Sequence, residues 1–164
     1  MMNASRRDML AAGTVLTTVL TAGLATGAAA QSGEAAGGAM EVIRVYADAD
    51  GVSHFERVRV TGMPKPIPAT RIVANHIAPG LEDWHTAPRK LFTINTAGDI
   101  VGEFGDGTKV PIGKGDLVYL EDTTGKGHLT RLLTEVSNLF ILMPDDFDFL
   151  AWAASDPGAS ILGD

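Results

Sequence analysis

The sequence predicts an all-β domain, on three observations. Short runs rich in β-branched and aromatic residues recur at roughly 8–12-residue spacing along most of the chain. Nineteen glycines and eight prolines in 164 residues favour many turns over long helices. A helical period appears only near the C-terminus, at residues 147–154, where Phe147, Leu150 and Ala151 share one apolar face.

The first thirty residues stand apart from this pattern. Ser5-Arg6-Arg7-Asp8-Met9-Leu10 is followed by an uncharged stretch to Ala30 that is rich in Ala, Thr and Gly. A basic start, a moderately apolar middle and small residues at Ala28-Ala29-Ala30 form a cleavable export signal, with the cut expected after Ala30. Gly13, Thr14, Thr17, Thr18, Thr21 and Gly23 make the middle too weakly apolar for a span, which takes about 20 apolar residues. The paired arginines and Leu10 resemble the twin-arginine consensus, with Met9 at the usual Phe position. An ordinary secretory signal that carries two arginines is the other reading. Both predict a periplasmic or secreted protein. The twin-arginine route exports folded chains, often with a cofactor in place.

Residues 31–40 read as a flexible leader. The strands then follow in order. Residues 41–47 are β-rich and end in Asp48-Ala49-Asp50-Gly51, a turn with the Asp-Gly signature. Residues 55–61 alternate Glu56, Val58 and Val60 with Arg57 and Arg59. Three prolines in residues 62–68 make a rigid connection, barred from a central strand. Residues 69–78 form the next strand, stopped by Pro79-Gly80. Residues 89–96, 99–104 and 108–112 follow, divided by Ala97-Gly98 and Gly105-Asp106-Gly107. Residues 116–121, 128–135 and 138–143 bring the total to nine. Residues 145–164 read as a C-terminal tail, with its short helix and a loose Asp-Pro-Gly-Ala-Ser run.

Charge and composition exclude several classes. The formal net charge is −7, from thirteen basic and twenty acidic residues; losing Arg6, Arg7 and Asp8 with the signal leaves eleven and nineteen, or −8. An acidic domain without a Lys/Arg cluster argues against nucleic acid and against anionic membrane surfaces. The absence of cysteine removes disulfides, thiolate metal sites and a Cys nucleophile together. Thr123-Thr124-Gly125-Lys126-Gly127 is not a phosphate loop, since Leu120 and Gly127 stand where Gly and Ser or Thr are needed. Gly102, Gly105 and Gly107 form no dinucleotide fingerprint, and residues 48–56 lack calcium-loop spacing. No serine lies in a glycine-flanked elbow.

Two segments remain that are unusual in composition. One is Pro79-Gly80-Leu81-Glu82-Asp83-Trp84-His85-Thr86-Ala87-Pro88-Arg89, running into an apolar strand that closes at Gly98. The other is Gly113-Lys114-Gly115-Asp116, a short apolar strand, then Glu121-Asp122-Thr123-Thr124-Gly125-Lys126-Gly127-His128. Together, over residues 69–143, they resemble the two-part cupin motif. They are most similar to small single-domain cupins with Trp-His-x-Ala-Pro-Arg and Glu-Asp-Thr-Thr-Gly-Lys-Gly-His segments. The resemblance implies a jelly-roll β-barrel over residues 41–144, with the two segments on facing strands and their imidazoles meeting inside.

The chain departs from the cupin ligand pattern of two histidines one residue apart, a glutamate and a third histidine. His85 and His128 are present, whereas Arg89, Lys90 and Leu91 lie near the glutamate position. Two readings stay open. His85, His128 and a carboxylate such as Glu82 (or Asp83, Asp122 or His76 in support) would make an open site for iron, manganese or zinc. Otherwise the two imidazoles line a metal-free pocket. Arg89 is a candidate to hold an acidic ligand by paired hydrogen bonds, with His85 or His128 as general acid or base. Trp84, Asp122 and Thr124 are candidate ligand contacts at the barrel mouth.

The predicted function is therefore that of a small exported cupin binding a small acidic organic ligand, with isomerase, lyase or oxygenase chemistry. The alternative is a metal-free, non-catalytic binding module. A homodimer is the one protein partnership the resemblance suggests.

Overall fold

In the computed structural model, residues 39–155 are described, and they form one all-β unit closed by a short helix. The strands are β1 (Met40–Ala47), β2 (Ser53–Val60), β3 (Arg71–Ile77), β4 (Gly80–His85) and β5 (Leu91–Ala97). They continue with β6 (Ile100–Glu103), β7 (Lys109–Ile112), β8 (Leu117–Leu120), β9 (His128–Leu132) and β10 (Val136–Leu142), and the helix is α1 (Phe149–Ala154). Two sheets face each other as a jelly-roll-type barrel. One has the order β2-β1-β8-β5-β10-β3, the other β4-β9-β6-β7. All pairs are antiparallel except β1 with β8.

Ten strands stand where nine were expected. The additional one is β4, which starts at Gly80 directly after the turn that stops β3. Its sequence, Gly-Leu-Glu-Asp-Trp-His, has neither a β-branched residue nor strict alternation, so the periodicity that marks the other strands is missing. The signal, the leader up to residue 38 and the run from Asp156 lie outside the described residues.

The six-stranded sheet is apolar on both faces, and the two faces do different work. On its outer face Val42, Phe92, Tyr119 and Ile141 pack with Phe147, Phe149 and Ala153 from α1 and its lead-in. Met63, Ile67 and Trp152 close the edge of this cluster. The rings are in edge and stacked contact, as in Tyr119 over Phe149 at 4.6 Å between centroids. The sheet's inner face meets the four-stranded sheet in two smaller clusters: Ile43, Val45 and Val118 with Phe104 and Val110, and Val136 with Ile100 and Leu132. The barrel interior between them is left partly unfilled.

Candidate functional site

That unfilled space is a cavity of about 310 Å³ between the sheets, within the size range of small-molecule sites. His85, His128, Glu82 and Thr130 reach it from the four-stranded sheet, and Asn75, Thr93, Asn95 and Asn138 from the other. The rest of the wall is apolar, including Phe104, Phe140 and Leu132. Among the described residues no lysine or arginine lines it.

An irregularity in β4 brings the two histidines together. Glu82 pairs with Thr130 and His85 with His128, so β4 spends three residues where β9 spends two. Regular alternation from Glu82 would turn Trp84 inward and His85 outward. The extra residue reverses this, as a β-bulge does, and sets His85 beside His128. Their ring centroids lie 4.6 Å apart, at an interplanar angle of 57°.

Hydrogen bonds fix the tautomer of each ring. His85 Nδ1 is 2.7 Å from the Asp83 carbonyl oxygen, which only accepts, so Nδ1 carries the proton. His128 Nδ1 donates to Asp122 Oδ2 at 2.6 Å, and Asp122 is fully buried. Both rings therefore keep Nε2 as the free nitrogen, with Nδ1 anchored as in histidines that work through Nε2. The other Asp122 oxygen, Oδ1, has no partner among the described residues.

The remaining candidates fall into separate groups. Glu82 lines the same cavity as the histidines, but no three His, Asp or Glu side chains converge as a metal-holding group among the described residues. The pair of Nε2 atoms is thus not completed by Glu82 into the three-ligand face that iron, manganese or zinc sites use. Arg89 lies in a separate hollow with Thr70, Arg71, Pro88 and Leu142. Trp84 lies under the Lys126 ammonium, 3.4 Å from the ring centroid, a cation–π contact away from the cavity wall. Thr124 is on the exposed loop before β9, and Asp122 is bonded to His128 without lining the cavity. His76 is exposed and bonded to Ser137 Oγ at 3.0 Å. Asp83 Oδ1 accepts from the Trp84 backbone N–H.

Sequence reading missed the three asparagines. Asn95 and Asn138 each interrupt an apolar strand at a position whose parity matches inward-facing neighbours. In Val136-Ser-Asn138-Leu-Phe140-Ile-Leu142, the residues two apart from Asn138 are all apolar. That pattern marks a polar group aimed at a core and would have found them.

No protein-family model matches the chain, and no curated protein matches it. Among solved structures it is similar to protein NMB1881 from Neisseria meningitidis, at 20% identity and a TM-score of 0.37, covering 44% of this chain and 72% of that one. It is also similar to a protein of Salmonella typhimurium named for ethanolamine utilization (protein Q), at 13% identity and a TM-score of 0.30, covering 67% of this chain and 100% of the other. A third is described as a "predicted oxalate decarboxylase" from Thermotoga maritima, at 16% identity and a TM-score of 0.31, covering 63% and 94% of the two chains. TM-scores of this size carry no argument about chemistry. The all-β, two-sheet jelly-roll architecture is nonetheless clear in the strand pairing itself.

Proposed function

We propose that this chain is a small exported cupin that binds a small organic molecule in its barrel and moves a proton on it with His128 and His85. The observation that carries this reading is the pair of imidazoles in a largely apolar cavity, each with Nδ1 tied down and Nε2 free. Asp122 holds His128 in one tautomer and one orientation, the part a buried carboxylate plays beside a histidine base. Nε2 of His128 would take a proton from a carbon beside a carbonyl of the bound molecule. Returning the proton to a neighbouring carbon completes an isomerisation, and loss of a leaving group instead completes an elimination. Apolar walls exclude competing water from this exchange.

Arg89 gives no support to an acidic ligand from within the cavity, because it lies in the separate hollow. Burying an anion against apolar walls without a cation is costly. The bound molecule is therefore neutral in this reading. Export rests on the Ser5–Leu10 segment, and Arg6→Lys with Arg7→Lys in the full chain should abolish accumulation outside the cytoplasm if the twin-arginine route is used.

The test of the site uses untagged protein incubated in D2O with a small-molecule extract, followed by mass spectrometry. A retained compound should gain deuterium with the wild type and not with His128→Ala. Equal retention without exchange would reject the proton-transfer role, and no retention would reject binding. One equivalent of iron, manganese or zinc in untagged protein would instead make the Nε2 atoms metal ligands.

A further inference from the structure

Asn75, Asn138 and Asn95 lie in register on three neighbouring strands. Asn138 of β10 pairs with Asn75 of β3 on one side and with Asn95 of β5 on the other. The regular register of β5 with β10, from Leu91–Leu142 through Thr93–Phe140, sets this pairing. The register shifts only beyond it, where Ser137 pairs with Ala97 and Thr96 is the extra residue. Thr96 is exposed and donates to the Ser137 carbonyl at 2.8 Å. The result is a row of three carboxamides spaced by the inter-strand distance, about 4.8 Å, and all three line the cavity.

Two of the three have oxygens left over. Asn95 is 2% exposed and Asn138 6% exposed, and neither Oδ1 has a hydrogen-bond partner among the described residues. The orientation of Asn95 is fixed, since its Nδ2 donates to the Gly98 carbonyl at 2.8 Å and only a nitrogen can do so. Buried polar atoms are nearly always paired, and an unpaired one marks a strained, catalytic or ligand-binding position. Here the oxygens belong to the wall of the space that holds the imidazoles.

Sheet register locates the row relative to the histidines. Ile100, Leu132 and Val136 form one cluster that joins the two sheets. One step inward from it, the small sheet presents Glu82, Thr130 and Gly102, and the large sheet presents the asparagine row. The next step on the small sheet is His85 with His128. A molecule lying along the barrel would meet the carboxamides at one end and the imidazoles at the other.

We infer that this carboxamide row is the specificity-determining subsite for a neutral polyhydroxylated molecule of about the size of a pentose; the inference rests on the ligand-binding reading of the cavity given above. Each carboxamide offers an acceptor oxygen and two donor hydrogens, and the hydroxyl is the common ligand group that answers both. An ammonium group answers only the oxygens. A carboxylate answers only the N–H groups and finds, among the described residues, no lysine or arginine on the wall. Phe104 and Phe140 supply apolar surface for the C–H faces of such a molecule. The cavity has the volume of about ten waters at about 30 Å³ each, room for one monosaccharide and little more.

The test is an NMR titration of the full chain with D-xylose and, separately, with succinate, following the side-chain amides of Asn75, Asn95 and Asn138. Saturable shifts of these amides by D-xylose are expected. Asn138→Leu should weaken that binding about tenfold or more, which is about 1.4 kcal/mol per tenfold. Its melting temperature should hold or rise, because the variant removes an unpaired buried oxygen. Asn75→Leu, at a half-buried position, gives the same readout should Asn138→Leu fold poorly. Xylose binding unchanged in both variants would overturn the subsite. Succinate binding without xylose binding would overturn the polyol assignment while leaving the cavity a ligand site. No shift of any cavity resonance with either probe would overturn both readings.

Discussion

At the scale of single residues, the site depends on one glycine and one aspartate. Gly127 has a φ of +73°, and a Cβ there would lie 2.0 Å from the His85 carbonyl oxygen. The chain before His128 therefore approaches the β4 backbone as closely as it does only because no side chain intervenes. Gly127→Ala must displace backbone on both strands, so it should cost about 3 kcal/mol or more in urea unfolding. It should also separate the two imidazole spin systems in NMR spectra. Asp122 acts differently. Asp122→Ala leaves a buried His128 N–H unpaired, at a cost of about 1–3 kcal/mol. Its sharper signature is electronic: imidazole nitrogen shifts of His128 should change from the pure Nδ1–H tautomer to a mixture. An unchanged tautomer would mean that Asp122 does not orient the His128 ring.

At the scale of elements, the irregular strand β4 decides which of its side chains enter the cavity, and its sequence carries no mark of that. The apolar strands were visible because Val, Ile, Phe and Leu recur at period two, as in Leu117-Val118-Tyr119-Leu120. His85 and His128 were visible because the two segments that carry them resemble the two-part cupin motif. The inward turn of His85 and the outward turn of Trp84 were not, because an extra residue in β4 shifts parity without a mark in the sequence. Arg89 looked like a neighbour of His85 by number, yet chain proximity after a bulge and a Pro88 turn does not carry a side chain to the same face. The asparagine row needed two register facts, and register is set by pairing across the sheet.

A second feature of the turns couples to the site. His54 on β2 bridges Asp48 (2.8 Å) in the β1–β2 turn and Asp106 (2.9 Å) in the β6–β7 turn. The neighbouring Ser53 Oγ donates to the Gly127 carbonyl and accepts from the Gly105 N–H. Hydrogen bonds that the His54 ring donates to the Asp48 and Asp106 carboxylates raise its pKa above the ordinary 6.5. The bond to His54 comes first in lowering Asp48, and the Thr108 hydroxyl comes first in lowering Asp106, both below 3.8. A raised histidine contributes its full stability below about pH 6.5 and loses it as pH rises through the raised value. A lowered carboxylate contributes above about pH 4 and loses it as pH falls through the lowered value. Melting temperature should therefore plateau between about pH 4 and 6.5 and decline on both sides. His54→Gln should remove the alkaline decline, and a wild-type curve flat from pH 6 to 8 would contradict the bridge.

At the scale of the whole molecule, the main aromatic core and the candidate site are divided between the two faces of one sheet. The aromatic cluster sits outside the barrel, under α1, and the cavity sits inside. A protein that anchors its sheet from outside can leave polar groups and empty volume within, because the larger packing contribution comes from elsewhere. Helix α1 is too short to be stable alone, so it depends on its packing and its ends. Asp148 caps its start by accepting from the Ala151 N–H, and Lys65 donates to the carbonyls of Trp152 and Ala153 at 2.8 Å each. Lys65 is buried, and its ammonium meets the negative end of the helix. Two substitutions follow from this division. Phe149→Ala, at a fully buried ring, should cost about 3–5 kcal/mol, while the His85 and His128 resonances keep their chemical shifts as long as the chain stays folded. Lys65→Met should cost less and loosen α1 selectively, seen as faster amide exchange at Trp152 and Ala153 with β4 and β9 unchanged. If exchange instead rises together at α1 and at the His85–His128 pair, the outer core and the cavity form one cooperative unit, and the polar interior is supported by something other than the aromatic face.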